Sequence, residues 1–232
     1  MKRILILLCL PLLFTTCKKE EDNTPTNNTG NNSTQTYVPD DNFEQRLIQL
    51  GYDNILDDYV TTANINSVTL LDVNSQSITD LTGIEDFTSL THLYCYINQL
   101  TSLDVSQNTF LFQLECEDNQ LTSLDVSQNI ALDYLDCKWN QLTSLNVSNN
   151  TALTDFSCSE NQLTSLDVRN GNNTNMNFNA ILNPNLFCIS VDDSTWATTN
   201  LTAKDPQHYF SNNCPPPSAI EEHTADRKST RL

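Results

Sequence analysis

The sequence predicts a β-rich solenoid of 21-residue coils, closed by a short helical cap at its N-terminal end and a disulfide-bonded cap at its C-terminal end. Three observations predict it: self-similarity at a fixed step, strand-like alternation of apolar and polar residues within each step, and loss of that rhythm at both ends.

The step is seen by laying the chain against itself. Leu90-x-x-Leu93-x-Cys95-x-x-Asn98-x-Leu100 returns as Leu111/Leu114/Cys116/Asn119/Leu121, then Leu132/Leu135/Cys137/Asn140/Leu142, then Leu153/Phe156/Cys158/Asn161/Leu163, 21 residues apart each time. An imperfect copy, Val68/Leu71/Val73/Gln76/Ile78, lies 22 residues before Leu90. This is the leucine-rich-repeat pattern L-x-x-L-x-L-x-x-N/C-x-L, and its length falls within that class. Each coil divides again, because Leu121-x-x-Leu124-x-Val126-x-x-Asn129 repeats the pattern of Leu111 to Asn119. Both halves alternate as Leu-x-Cys or Leu-x-Val, so two short extended segments and almost no helix are expected per coil.

Before the first coil, Asp41 as N-cap, Glu44 three residues on and Gly51 as a stop predict a short helix with Phe43, Leu47, Ile48 and Leu50 on its apolar face. Ile55, Leu56, Tyr59 and Val60 are expected to cover the open end of the array, since a terminal coil otherwise exposes core. After Val168 a polar insertion, residues 170–175, interrupts the rhythm, which resumes at Phe178 and Leu186/Ile189/Val191. Cys188 and Cys214 flank a segment outside the register that contains Trp196, Tyr209 and Phe210. A disulfide locking this cap is expected, typically contributing about 2–4 kcal/mol in an oxidising compartment.

The flanks are of another kind. Lys2-Arg3, an apolar run over residues 4–14, and Thr15-Thr16-Cys17 followed by charged residues read as an export signal. The run is too short, and too interrupted by Pro11, to cross a bilayer. Residues 22–36 are almost wholly Asn, Thr, Ser, Gly and Gln, with one Pro and no large apolar residue, a composition that cannot bury a core and is expected to serve as a tether. The expected organisation is a lipoprotein-type signal at 1–16, tether at 17–36, N-terminal cap at 37–66, solenoid at 67–192, C-terminal cap at 193–214 and a disordered tail at 215–232. With 11 Lys and Arg against 29 Asp and Glu, the formal charge is −18. That balance excludes nucleic acid as an expected partner, because phosphate binding needs a cationic face.

Several motifs carry resemblances. Thr15-Thr16-Cys17 resembles a lipobox, although Phe14 and Thr16 depart from its usual residues, and the acidic run after it is similar to the surface-export signal of Bacteroidota-type lipoproteins. The stretch Leu81-Thr-Gly-Ile84 resembles internalin-type repeats, and Leu-Thr-Ser-Leu-Asp-Val-Ser-x-Asn is similar to coils of secreted and surface repeat proteins of Bacteroidota. Cys188 to Asp193 and Ala219 to Thr224 resemble, respectively, the array ending and the start of sorting regions in such proteins. These resemblances cover residues 37–214 at family level. They imply lipidation at Cys17, an outer-membrane lipoprotein exposed at the cell surface and anchored by lipid, and a non-enzymatic adhesion or interaction role, without naming a ligand.

Cys95, Cys116, Cys137 and Cys158 share one inward position. A linear column cannot converge on zinc, so buried thiols filling the core are expected and no metal or cofactor is assigned. Asn98/Asn119/Asn140/Asn161 and Asn108/Asn129/Asn150 form two columns suited to satisfying turn backbone. Asp104, Asp125 and Asp167, with Asn146, make an acidic outer column that could hold calcium but offers few convergent oxygens per coil against the roughly 6 to 8 calcium needs, so a solvated polar face is the favoured expectation. No catalytic motif is found, and His92 and Cys95 point to opposite faces of a strand.

One half-coil barely changes outwardly, as Thr-Ser-Leu-Asp-Val-Ser, whereas the other reads His92/Tyr94/Tyr96, Gln113/Glu115/Glu117, Tyr134/Asp136/Lys138 and Asp155/Ser157/Ser159. Monotony suits a scaffold and variety suits recognition. The expected binding face therefore comprises His92, Tyr94, Tyr96, Glu115, Glu117, Tyr134, Asp136 and Trp139, with aromatic anchors for an extracellular protein or polysaccharide. A monomer is expected. The alternative is a structural spacer or surface-layer component without a specific ligand.

Overall fold

The computed structural model describes residues 34–216. The predicted signal peptide, Cys17, most of the tether and the tail beyond residue 216 lie outside the described residues. The N-terminal cap comprises β1 (Gln35–Tyr37), helix α1 (Asp41–Leu50), β2 (Tyr59–Thr61) and the single turn α2 (Thr62–Ile65), with β1 antiparallel to β2. Helix α1 stops at Gly51 as expected. That residue takes φ 81°, and its N–H and that of Tyr52 donate to Ile48 and Leu47, both at 3.0 Å.

The start of α1 differs from expectation. Asp40, not Asp41, is the N-cap, accepting from the N–H groups of Asn42 and Phe43 at 3.0 Å each. Its other oxygen accepts from the Thr79 N–H and hydroxyl and the Asp80 N–H, tying the helix to the first coil. Burial would raise the Asp40 pKa, but these hydrogen bonds outweigh it and hold the carboxyl below its ordinary value. Glu44 lies four residues from the true cap, one turn on, and so faces inward with Phe43 and Leu47. Fully buried, it accepts the N–H groups of Asp57, Asp58 and Tyr59 instead of reaching back to the cap.

The loop after α1 does not cover the open end of the array as expected. With its backbone held by Glu44, the loop turns its side chains to solvent, leaving Ile55, Leu56 and Tyr59 exposed by 57%, 51% and 43%. Val38, Phe43, Leu47, Val60 and Ile65 close the core end. Gly83, at φ 104°, lets the first coil pass close beneath β1. A Cβ there would sit 2.8 Å from the Tyr37 carbonyl oxygen.

Three-residue strands follow in chain order: β3 (Leu70–Asp72), β4 (His92–Tyr94), β5 (Gln113–Glu115), β6 (Tyr134–Asp136), β7 (Ser144–Asn146), β8 (Asp155–Ser157), β9 (Ser165–Asp167), β10 (Asn177–Asn179), β11 (Cys188–Ser190) and β12 (Tyr209–Ser211). They form the two predicted sides. Strands β3-β4-β5-β6-β8-β10 make a parallel six-stranded sheet, with Leu71, Leu93, Leu114, Leu135, Phe156 and Phe178 in register along its inner face. Strands β7-β9-β11-β12 make a parallel four-stranded sheet, and in the same half of earlier coils an isolated parallel bridge pairs Asp104 with Asp125. Among the described residues no helix is long and apolar enough to cross a membrane.

The asparagine columns stitch coils together. Asn119, Asn140 and Asn161 each accept from the N–H of a leucine in the preceding coil, at 2.9–3.0 Å, and donate to the carbonyl of a preceding-coil cysteine at 3.0 Å. Asn183 continues the column with Leu163 and Cys158. Helix α3 (Ser194–Asn200), capped by Asp193, and β12 form the C-terminal cap, and the Cys188–Cys214 disulfide is present as expected. His208 is buried beneath this cap. Burial lowers its pKa, against the opposing pull of the Asn183 carbonyl and Asp205.

Candidate interaction face

The outward side chains of the six-stranded sheet are spaced by its hydrogen bonds, so residues from different coils meet only as the register allows. Register places His92 beside Gln113 and Gln113 beside Tyr134, and Tyr94 beside Glu115 and Glu115 beside Asp136. His92 Nδ1 lies 2.8 Å from the Thr91 hydroxyl. Its ring stands 6.4 Å from Tyr94 and 6.0 Å from Phe112, giving a line of three aromatics across two coils. Burial, then the charge of neighbouring carboxylates, raises the pKa of both Tyr94 and Tyr134, keeping the phenols neutral.

The charged members are less alike than their sequence positions suggest. Asp136 is only 6% exposed. It accepts the Lys138 N–H at 3.1 Å and pairs with the Lys138 ammonium, while Glu117 lies 3.8 Å from that ammonium. Contrary to expectation, Asp136 does not stand free on the face, because the two-residue turn to Lys138 draws it in. Burial, followed by repulsion from Asp136, raises the Glu117 pKa, and Glu117 Oε2 is buried without a hydrogen-bond partner. Glu115 accepts from Gln113 Nε2 at 2.6 Å. Trp139, 47% exposed, holds the Lys138 ammonium 5.4 Å from its ring centroid. Tyr96 is half-buried, two residues beyond the end of β4.

Sequence reasoning does not pick out three exposed apolar residues in the turns that lead into β5 and β6: Phe110 at 64%, Phe112 at 45% and Ile130 at 63%. The signal was available, since Phe112 replaces Thr91, Asp133 and Thr154 at the equivalent place in other coils. The four column cysteines are buried and free. Burial raises all four thiol pKa values, leaving them un-ionised. The outer Asp104, Asp125 and Asp167 carboxylates each accept the N–H two residues on, as does the Asn146 amide oxygen. Among the described residues no three metal-ligating side chains converge.

Paired three-residue strands, a 21-residue coil and asparagine stitching define a leucine-rich-repeat solenoid. Its coils are internalin-like. Internalin J of Listeria monocytogenes serotype 4b (strain F2365) is 38% identical over 101 residues, covering 41% of this chain and 11% of internalin J. The solved functional domain of InlJ from Listeria monocytogenes, which includes a cysteine ladder, is 35% identical with a TM-score of 0.58, covering 68% of this chain and 38% of that one. The internalin inlF from the same species aligns at 21% identity and a TM-score of 0.49, over 75% of this chain and 56% of its own. The chain therefore spans less than two thirds of each of these proteins. No family model matches it.

Proposed function

We propose that this chain is an exported bacterial interaction module that binds an extracellular protein through the outer face of the six-stranded sheet. The observation that carries the reading is the contrast between the two sides of the coil. One repeats its outward residues, whereas the other varies them and lines up His92, Tyr94 and Phe112 as exposed or half-exposed aromatics. Similarity to internalin J supports an adhesion or interaction role outside the cell. The signal-like start and Cys17 support export and lipid anchoring at the outer membrane, with the polar residues from 22 up to β1 as the tether; the expected boundary at residue 36 moves earlier because Gln35 and Thr36 pair with β2. On this reading Tyr94, Tyr96, Tyr134 and Trp139 are anchors, His92 supports them, and Glu115 and Glu117 set a preference for cationic partners. Asp136 acts through Lys138.

The test is a screen of the chain without residues 1–16 against immobilised host-matrix proteins and polysaccharides. A saturable protein partner is expected, whose binding is lost when Tyr94, Tyr96 and Tyr134 are replaced together by Ala, with unchanged circular dichroism and melting. Binding that survives the triple substitution overturns the face. A saturable response to polysaccharide alone moves the ligand class to glycans. Silence throughout favours a structural spacer.

A further inference from the structure

Each turn that leaves the six-stranded sheet carries a non-glycine residue in the left-handed region: Ser75, Ile97, Asp118, Trp139, Glu160 and Leu182, with φ between 53° and 58°. From Ile97 onward the file alternates apolar, acidic, apolar, acidic, apolar. The N–H groups of Ile97, Asp118, Trp139 and Glu160 donate to carbonyls of the next coil at 3.0–3.1 Å. These turns therefore extend the sheet's ladder, and the side chains stand in single file at the strand spacing of about 4.8 Å.

Stability does not account for the apolar members. A non-glycine residue held at such a φ costs about 1–3 kcal/mol, and a β-branched one such as Ile97 is especially disfavoured. Ile97, Trp139 and Leu182 remain 50%, 47% and 54% exposed, so little burial offsets that strain. Asp118 and Glu160 are exposed between them. The nearby cation, Lys138, is already engaged by Asp136 and Glu117.

We propose that this ridge docks an amphipathic α-helix of a partner, lying along the solenoid with apolar and cationic residues alternating on one face. Helix residues three and four apart are neighbours at about 5–6 Å, close to one coil step. Seven residues advance about 10.5 Å, against about 9.6 Å for the two coil steps between Ile97 and Trp139. An extended strand covers about 10 Å in three residues, which puts successive contacts on opposite faces. The apolar positions would meet Ile97, Trp139 and Leu182, and the cations Asp118 and Glu160, in keeping with a chain of formal charge −18. The inference shares Trp139 with the sheet-face reading but does not rest on it.

Calorimetric titration of the full chain with designed peptides tests it. One 18-residue helical peptide carries leucine at positions 1, 8 and 15 and lysine at positions 4 and 11 on an alanine and glutamine background. A scrambled peptide of the same composition and a proline-rich extended peptide with the same leucine and lysine content are the controls. The patterned peptide should bind one-to-one and at least about tenfold tighter than either control. Joint Ile97→Gly, Trp139→Gly and Leu182→Gly substitution should weaken it at least about tenfold while leaving the unfolding midpoint unchanged or raised, since glycine relieves the left-handed strain. Asp118→Lys with Glu160→Lys should transfer preference to a peptide with glutamate in place of lysine. The Tyr94, Tyr96 and Tyr134 alanine variant should bind the peptide normally, which separates this ridge from the sheet face. No binding, equal binding by the scrambled peptide, tighter binding by the extended one, or full binding by the glycine variant overturns the proposal.

Discussion

The two halves of a coil begin from the same residues and end differently. Leu111 to Asn119 and Leu121 to Asn129 share one pattern, and both bury their apolar positions and their asparagine. In the first half, the left-handed Asp118 precedes an amide that bonds in both directions: Asn119 Oδ1 accepts from Leu100 N–H, and Nδ2 donates to the Cys95 carbonyl. In the second half, the Asn129 N–H closes a turn on Val126. Its Nδ2 donates to Val105 and Asn108, and its Oδ1 is buried without a partner, as are those of Asn108 and Asn150. The same letter in the repeat is thus a two-way stitch on one side and a donor alone on the other.

The largest expected effect tests that difference. Asn140→Ala orphans the buried Leu121 N–H, which typically costs about 1–3 kcal/mol, and removes one of the two side-chain bonds to the Cys116 carbonyl, which keeps Asn119 Nδ2, at about 1 kcal/mol more, so a loss of about 2–4 kcal/mol is expected. Asn129→Ala removes donors only, and also removes an oxygen already buried unpaired, so about 1 kcal/mol is expected. Urea unfolding of the two variants measures both. Equal losses would erase the distinction between the halves.

A smaller effect concerns the core position that is Cys in the first half and Val in the second. Cys137 is buried and its thiol donates to the Ser157 carbonyl at 3.4 Å, while Val126 and Val147 fill the matching places across the coil. Cys137→Val should shift stability by less than about 1.5 kcal/mol, as volume-conserving apolar changes do. Cys137→Ser, which places a more polar group in the column, should cost about 1–3 kcal/mol. Burial raises all four column thiols, so iodoacetamide at pH 8 should leave the native chain unlabelled there and modify all four on denaturation. Rapid labelling of the native column would mean that this side opens more readily than its partner.

What could be read in advance follows the same division. The coil length, the paired half-coils, the inward cysteines and the first asparagine column were legible because each depends on spacing and polarity, which the sequence displays directly. The Cys188–Cys214 bond was legible because the two cysteines flank a segment that lies outside the repeat register. The cap was not. Choosing Asp40 over Asp41 depends on Thr79 and Asp80, some 40 residues away, and the burial of Glu44 depends on a loop whose own residues look apolar enough to bury themselves. The file of left-handed turns was also hidden, because Ile97 and Trp139 are residues that local preference keeps out of that conformation. At the candidate face, alternation identified which residues point outward. Asp136 turned in because a neighbour two residues on captured it, and Phe112 stood out because it precedes the strand.

The smallest expected effect explains why one side repeats itself. Asp104 and Asp125 each accept a serine N–H two residues on at 2.9 Å, and Asn146 makes the same 2.9 Å bond to Ser148 without titrating. Hydrogen bonds from the Ser106 and Ser127 backbone, then from their hydroxyls, hold the two carboxyls below their ordinary value. A depressed carboxylate contributes stability that is fully present above its unfolded pKa of about 4 and is lost as pH falls through the lower folded value. Asp125→Asn should therefore match the parent at pH 7 and lose less below pH 4, whereas Asp125→Ala should be weaker at neutral pH. Chemical denaturation from pH 7 to pH 2.5 reads both, and calcium at millimolar concentration should move neither midpoint. An Asn variant as unstable as the Ala one would mean that the charge, and not the turn bond, maintains this column, and the monotony of this side would then call for a ligand rather than a scaffold.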